Sequence, residues 1–288
     1  MVFHRQLFAA VIGALALSVV TPAVAQAAPA RAVEYVNIGD SYSAGAGVLP
    51  LVPGSPAGCF RSQRNFAHLV AAQHGYRLTD VSCGGAETAD FYRSQPSAPG
   101  TRPQLDALRP TTQVVTVMMG GNDSSTFAGS LEKCLGAAIG SRVADPCERR
   151  FGDSLIAPVF ARTQPSLTRG LRAIRARAPR ARIIVVGYPV LFPRSGSCAA
   201  GFLIAPGDTP YVRRVSDALN LAARRAAAAA GATYVDLEPS TEAHNACTGP
   251  GNRYVEPLIG ATQFVPAHPN ARGEAAFARQ VSAAIDRR

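Results

Sequence analysis

Four short polar stretches carry groups able to do covalent chemistry on a carbonyl. The first is Gly39-Asp40-Ser41-Tyr42-Ser43. A serine leaving a strand on a glycine turn presents its hydroxyl at the carboxyl edge of a sheet, where open α/β folds bind ligands. The same residues serve equally well as a turn in which Asp40 or Ser41 caps a helix. The second stretch, Ser82-Cys83-Gly84-Gly85-Ala86, offers backbone N–H groups from a glycine turn. The third, Gly120-Gly121-Asn122-Asp123, lets backbone approach a ligand closely and supplies a neutral amide donor for a developing oxyanion. The fourth, Pro266-Ala267-His268-Pro269-Asn270, sets a histidine in a polar loop. His68 and His74 fall on a helical pattern and read as surface or structural residues, and His244, in a loop near Cys247, is a weaker candidate base.

These stretches need a scaffold that brings them together. Five apolar, β-branched runs bounded by turn residues read as buried strands: Tyr35 to Ile38, Leu78 to Ser82, Val114 to Met119, Ile183 to Gly187 and Thr233 to Asp236. Runs without alternation suit a parallel sheet covered on both faces. Helical patterns lie between them at Phe66 to His74, Thr101 to Leu108, Leu155 to Ala178 (interrupted by Pro158 and Pro165) and Tyr211 to Ala230. A last helix is expected from Ala271 to Asp286, with Asn270 as its N-cap. Gly45 to Arg64, Ser124 to Gly152 and Ser195 to Thr209 read as long loops, each holding or bordering cysteines. Alternating strand and helix without a linker predicts one α/β domain with a parallel sheet. In a sheet ordered 2-1-3-4-5 the first three strands are adjacent and their carboxyl ends meet at the switch point. Ser41, Gly85 and Asn122 follow those three ends. A serine flanked by two oxyanion donors, with a loop histidine to take its proton, is a serine acyl-transfer site.

Composition narrows the classes further. Of 288 residues, 47% are hydrophobic and only 17% charged, which excludes a disordered charged tail. The net charge is +10, yet Lys133 is the sole lysine and the arginines are scattered. That pattern reads as a solvated surface, with at most transient contact with lipid interfaces. No dense basic run alternates with aromatics, so no nucleic-acid partner is expected. At the N-terminus, His4 and Arg5 precede an apolar run from Leu7 to Val20 and then Ala23, Ala25 and Ala27. This order predicts a secretory signal peptide over residues 1–27, cleaved after Ala25 or Ala27, because the apolar run is short for a bilayer core of about 30 Å. The mature chain, from residue 28 to 288, is then a secreted single domain, expected to be a monomer. Six cysteines without a Cys-x-x-Cys pair exclude a zinc ribbon or thioredoxin-type site by default and, outside the cell, read as disulfides. The sequence alone selects no pairing. Neighbour pairing is expected because each bridge closes one surface loop: Cys59–Cys83, Cys134–Cys147 and Cys198–Cys247.

The ordered set of Gly-Asp-Ser, a glycine after the second strand, Gly-x-Asn-Asp and a late histidine resembles the GDSL/SGNH hydrolases. Ile38-Gly39-Asp40-Ser41-Tyr42-Ser43-Ala44-Gly45 and His268-Pro269-Asn270-Ala271-Arg272-Gly273 are similar to the secreted actinobacterial esterases and lipases of that family. The resemblance covers Glu34 to Ile285. It implies a three-layer α/β/α sandwich with a central, mostly parallel five-stranded sheet of the flavodoxin-like kind, and ester hydrolysis without metal or cofactor. Ser41 is then the nucleophile, His268 the base, and Ser41 N–H, Gly85 N–H and the Asn122 amide the oxyanion hole. Three neighbouring disulfides also occur in similar secreted lipases. One departure stands out: many members carry Asp three residues before the histidine, where this chain has Val265. The Val265 carbonyl is the expected partner of His268 Nδ1, which makes the site a Ser–His dyad; a remote acid such as Glu256 is the competing possibility. The expected substrate is a small-molecule or lipid ester, with Val48, Leu49, Leu51, Val52, Phe202, Leu203 and Ile204 either lining an acyl groove or packing the loops. A carbohydrate O-deacetylase is the second enzymatic reading, and a non-catalytic extracellular binding module the third.

Overall fold

Five β-branched runs pair into one wholly parallel sheet in the order β2-β1-β3-β4-β5. They are β1 (Glu34–Gly39), β2 (Arg77–Asp80), β3 (Val114–Met118), β4 (Arg182–Val186) and β5 (Thr233–Val235). Register is set through the centre, with Val36 opposite both Thr79 and Val115, and Val117 opposite Val185. The computed structural model describes residues 1–2 and 32–287, and the chain from Ala32 onward forms one compact unit. The leader expected over residues 1–27 falls outside the described residues, apart from its first two.

The helices are α1 (Ser41–Ala44), α2 (Phe66–His74), α3 (Thr126–Ala138), α4 (Pro146–Phe151), α5 (Gln164–Arg177), α6 (Ala199–Phe202), α7 (Thr209–Ala229), α8 (Glu238–Thr241) and α9 (Ala271–Asp286). Alternate strand residues face opposite layers. Tyr35, Val114, Met118, Ile184 and Val186 pack with Phe66 and Val70 of α2 and Phe277 and Val281 of α9. Val36, Ile38, Val115, Val117, Ile183 and Val185 pack with Leu167, Leu171 and Ile174 of α5. Helix α7 supplies Leu219 and Ala222 to the first layer and Ala223 and Ala226 to the second. The result is the three-layer sandwich expected from the sequence. Asn270 caps α9 by accepting from Arg272 N and Gly273 N, and Asn65 caps α2 by accepting from His68 N.

Three expectations need correction, the first being the loop over Ser195 to Thr209, which contains α6 and a 3-10 turn at Pro206–Asp208. The helix expected over Thr101 to Leu108 shrinks to a single 3-10 turn at Gln104–Ala107, because Pro103 stands at its start and excludes a preceding helical turn. The loop expected over Ser124 to Gly152 contains α3 and α4. Helix α4 starts on Pro146, and the buried Asp208 carboxylate, 61 residues away from Cys147, accepts its N–H and that of Glu148. A cap supplied from so far along the chain leaves no local signature. The interrupted segment from Leu155 becomes a π-helical turn at Val159–Thr163 running into α5. Disulfides join Cys59 to Cys83, Cys134 to Cys147 and Cys198 to Cys247.

Candidate active site

Strand β1 delivers Ser41 directly. Gly39 is required at its end: a Cβ there would lie 2.3 Å from Ser43 Cβ and 2.6 Å from Met118 O. The Gln104 side-chain amide clamps this glycine, accepting from Gly39 N at 2.9 Å and donating to Gly39 O at 3.0 Å. Asp40 then caps α1, its Oδ1 accepting from Tyr42 N at 3.0 Å. The cap and an available serine hydroxyl are therefore compatible: Asp40 takes the first role and leaves Ser41, partly buried, to open the helix.

The half-buried imidazole of His268 meets Ser41 across 227 residues of chain, with Nε2 2.7 Å from Ser41 Oγ. Its Nδ1 lies 2.8 Å from Pro266 O. A carbonyl only accepts, so Nδ1 carries the proton and Nε2 is free to accept from the serine hydroxyl. This corrects the expectation for Val265. Ala267 adopts a left-handed φ of +56° and reverses the chain, turning the Pro266 carbonyl onto the ring. The Val265 carbonyl instead accepts from Gln263 Nε2 at 3.0 Å. Among the described residues no carboxylate bonds the imidazole. Burial lowers the His268 pKa below the ordinary 6.5, against the smaller raising effect of the Pro266 carbonyl.

The remaining donors sit on the neighbouring strand ends. Cys83 N donates to Gly39 O at 3.0 Å and Asp40 N donates to Met118 O at 3.0 Å, which ties the turns after β2 and β3 to the serine turn. Gly85 has φ +74°, a conformation that favours glycine, and neither its N–H nor that of Ser41 is hydrogen-bonded among the described residues. Asn122 Nδ2 donates to Ala86 O at 2.9 Å, so its amide is held beside the Gly85 turn. Ser124 and Ser125, just beyond, both adopt left-handed φ values of +55° and +53°, and strain of this kind concentrates at functional loops.

Sequence reasoning missed the aromatic frame beneath this site. Tyr188 donates to Asp40 Oδ2 and accepts from Gly121 N at 2.8 Å, bridging the serine turn to the Gly-Gly-Asn turn. Burial pushes the Asp40 pKa up to about 7, although hydrogen bonds from Tyr188, Tyr42 N and Ser43 N oppose it. Tyr42 donates to Ala267 O at 2.6 Å, and its ring lies 4.9 Å from the His268 ring. The residue after the serine thus fixes the residue before the histidine. Contacts so remote in sequence have no spacing signal.

Other candidates lie elsewhere. His244 stacks on Tyr254 and its Nδ1 bonds Asn252 O, and His68 Nε2 lies 3.6 Å from Asp80. Glu256 serves the histidine loop at a distance: its N–H donates to His268 O, while its carboxylate accepts from Arg253, Asn270 Nδ2 and Thr262 N. Burial alone would raise its pKa, but those bonds outweigh it and hold the carboxyl below the ordinary 4.5. Of the apolar loop residues, Val48, Phe202 and Ile204 are buried as packing, with Phe202 4.6 Å from Phe192, whereas Leu49 and Leu203 are exposed. A second Gly-Asp-Ser run at Gly152-Asp153-Ser154 has its serine bonded to Phe151 O.

A doubly covered parallel sheet in the order 2-1-3-4-5, with a serine–imidazole pair just past the end of its first strand, has the architecture of an SGNH-type hydrolase. The chain belongs to the GDSL-like lipase/acylhydrolase family, whose model matches residues 38–276. It is 47% identical to Lipase 2 of Streptomyces coelicolor over 272 residues, which covers 92% of this chain and 90% of that one. Its fold matches a phospholipase A1 from Streptomyces albidoflavus (TM-score 0.72, 26% identity, 88% of this chain and 99% of that one). An extracellular lipase from Streptomyces rimosus matches equally well (TM-score 0.72, 26% identity, 88% of this chain and 100% of that one). The protein is a carboxylic ester hydrolase.

Proposed function

We propose that this protein is an exported lipase or esterase that cleaves fatty acyl esters through an acyl-enzyme on Ser41. The 2.7 Å approach of His268 Nε2 to Ser41 Oγ, with the other ring nitrogen tied to a carbonyl, carries the reading. Ser41 Oγ attacks the ester carbonyl as its proton passes to Nε2. The oxyanion is received by Ser41 N–H, Gly85 N–H and the Asn122 amide. The imidazolium returns its proton to the departing alcohol. Water then attacks the acyl-enzyme, giving its proton to Nε2, which passes it to Ser41 Oγ as the acyl–oxygen bond breaks and the acid leaves. A backbone carbonyl fixes the tautomer but stabilises imidazolium less than a carboxylate does. The desolvated ring in turn stays neutral, and so competent as a base, at neutral pH.

Export rests on the leader pattern over residues 1–27 and on three disulfides, which persist in an oxidising compartment. Rapid mixing with a p-nitrophenyl ester tests the mechanism. A burst of p-nitrophenol equal to the enzyme concentration is expected from wild type under conditions where deacylation is slow, and none from folded Ser41→Ala. A Ser41→Ala variant with wild-type turnover would remove Ser41 as nucleophile, and strict preference for acetate over longer acyl chains would replace the fatty acyl reading with a deacetylase.

A further inference from the structure

Two partly exposed phenylalanine rings stand on segments that lead into the site, Phe60 against the turn after β2 and Phe264 in the loop before His268. Phe60 is 40% exposed and Phe264 51% exposed, and their rings meet edge to face with centroids 6.0 Å apart. Single exposed apolar residues need no explanation, but a paired, rigidly mounted one does. Phe60 adopts a left-handed φ of +48°, costly for a bulky residue. Both its neighbours are tied to the turn after β2: Cys59 is bridged to Cys83, and Arg61 Nε donates to Ser82 O at 2.9 Å. Gly84 N donates to Cys59 O, and a Cβ on Gly84 would lie 3.4 Å from the Phe60 ring. Phe60 is thereby mounted on the turn that presents Gly85 N–H. Phe264 belongs to the histidine loop. Its predecessor Gln263 donates through Nε2 to Val265 O at 3.0 Å and Pro269 O at 3.1 Å, which fixes the stretch leading to His268.

We propose that Phe60 and Phe264 together form the wall that receives the acyl chain of the ester, and so set its chain-length preference. This rests on the function proposed above and specifies the substrate side of the same site. The two rings join the oxyanion turn to the histidine loop, so a chain attached to a carbonyl on Ser41 and leaving on this flank runs across them. A separate cavity of about 600 Å³, beginning two residues after Asn122, is lined by Ser124, Ser125, Glu132, Lys133, Arg150 and Phe151 and so mixes charged groups with an apolar ring. An apolar acyl chain suits the paired phenylalanine rings better than it suits a cavity that carries three charged side chains.

The test compares kcat/KM for p-nitrophenyl decanoate and p-nitrophenyl acetate in wild type and in the Phe60→Ala/Phe264→Ala double variant. The decanoate-to-acetate ratio is expected to fall about tenfold or more, the scale on which hydrophobic pockets discriminate methylenes. A misfolded fraction lowers both rates equally and leaves the ratio untouched, so the readout isolates the acyl contact. A ratio within twofold of wild type overturns the proposal. So does a change confined to acetate esters of increasing alcohol length, which would assign the rings to the alcohol. Wild type inert toward both p-nitrophenyl esters would remove the esterase mechanism and this wall with it; active wild type with an unmoved ratio removes the wall alone.

Discussion

The two nitrogens of His268 are committed to different partners, and that division makes a pH prediction. In the proposed mechanism only the neutral ring accepts the serine proton, so activity is present above the imidazole pKa and is lost as pH falls through it. Burial places that pKa below 6.5, and the acid limb of kcat/KM is therefore expected to have its midpoint below 6.5. A limb centred above 7 in the kcat/KM profile for a short-chain ester would contradict a desolvated base. At this scale the sequence was most informative where the chemistry is local. Ser41, Gly85, Asn122 and His268 stand out because each is a polar or glycine residue just past an apolar run or before a capped helix. The partner of Nδ1 was misplaced by one residue because the left-handed turn at Ala267, not the spacing, decides which carbonyl faces the ring. Tyr42 and Tyr188 were invisible because a tyrosine in an apolar context reads as core until its hydroxyl is seen to bridge two loops.

Elements hold the site through a few buried polar joints. Helices α2 and α9 meet below the serine turn, where Glu274 of α9, fully buried, accepts from Phe66 N at 2.7 Å. Burial raises its pKa well above 4.5. A carboxyl raised in the folded state stabilises the fold while it is protonated, and that contribution is lost as pH rises from 4.5 toward the folded value. Glu274→Gln keeps the acceptor and removes the titration. The variant is thus expected to gain stability relative to wild type as pH rises from 5 to 8, read as a growing difference in Tm. A difference that shrank over that range would show the carboxyl to be ionised and favourably paired. Strands, α2 and α9 were legible because their apolar periodicity and caps are local. Helices α3 and α4 were not, since their surroundings are rich in Gly and Ser, two left-handed serines precede α3, and Asp208 caps α4 from across the fold.

Across the whole molecule, three bridges close loops whose ends are separated by 24, 13 and 49 residues, the longest between Cys198 and Cys247. Chain-entropy reasoning assigns a loop of that length about 4 kcal/mol. Replacing both cysteines by serine is expected to lower Tm by roughly 10 °C in a chain of this size, and an unchanged Tm would mean that the bridge does not restrain the unfolded chain. The net charge of +10 comes almost wholly from arginines scattered along the sequence. In the proposed mechanism all these parts converge on one serine made nucleophilic by one histidine. Intact-mass analysis after treatment with a fluorophosphonate tests that claim most directly. A single adduct per chain, localised to Ser41 by peptide mapping and greatly slowed in folded His268→Ala, is the predicted result; an unlabelled folded enzyme, or an adduct on another residue, would contradict it.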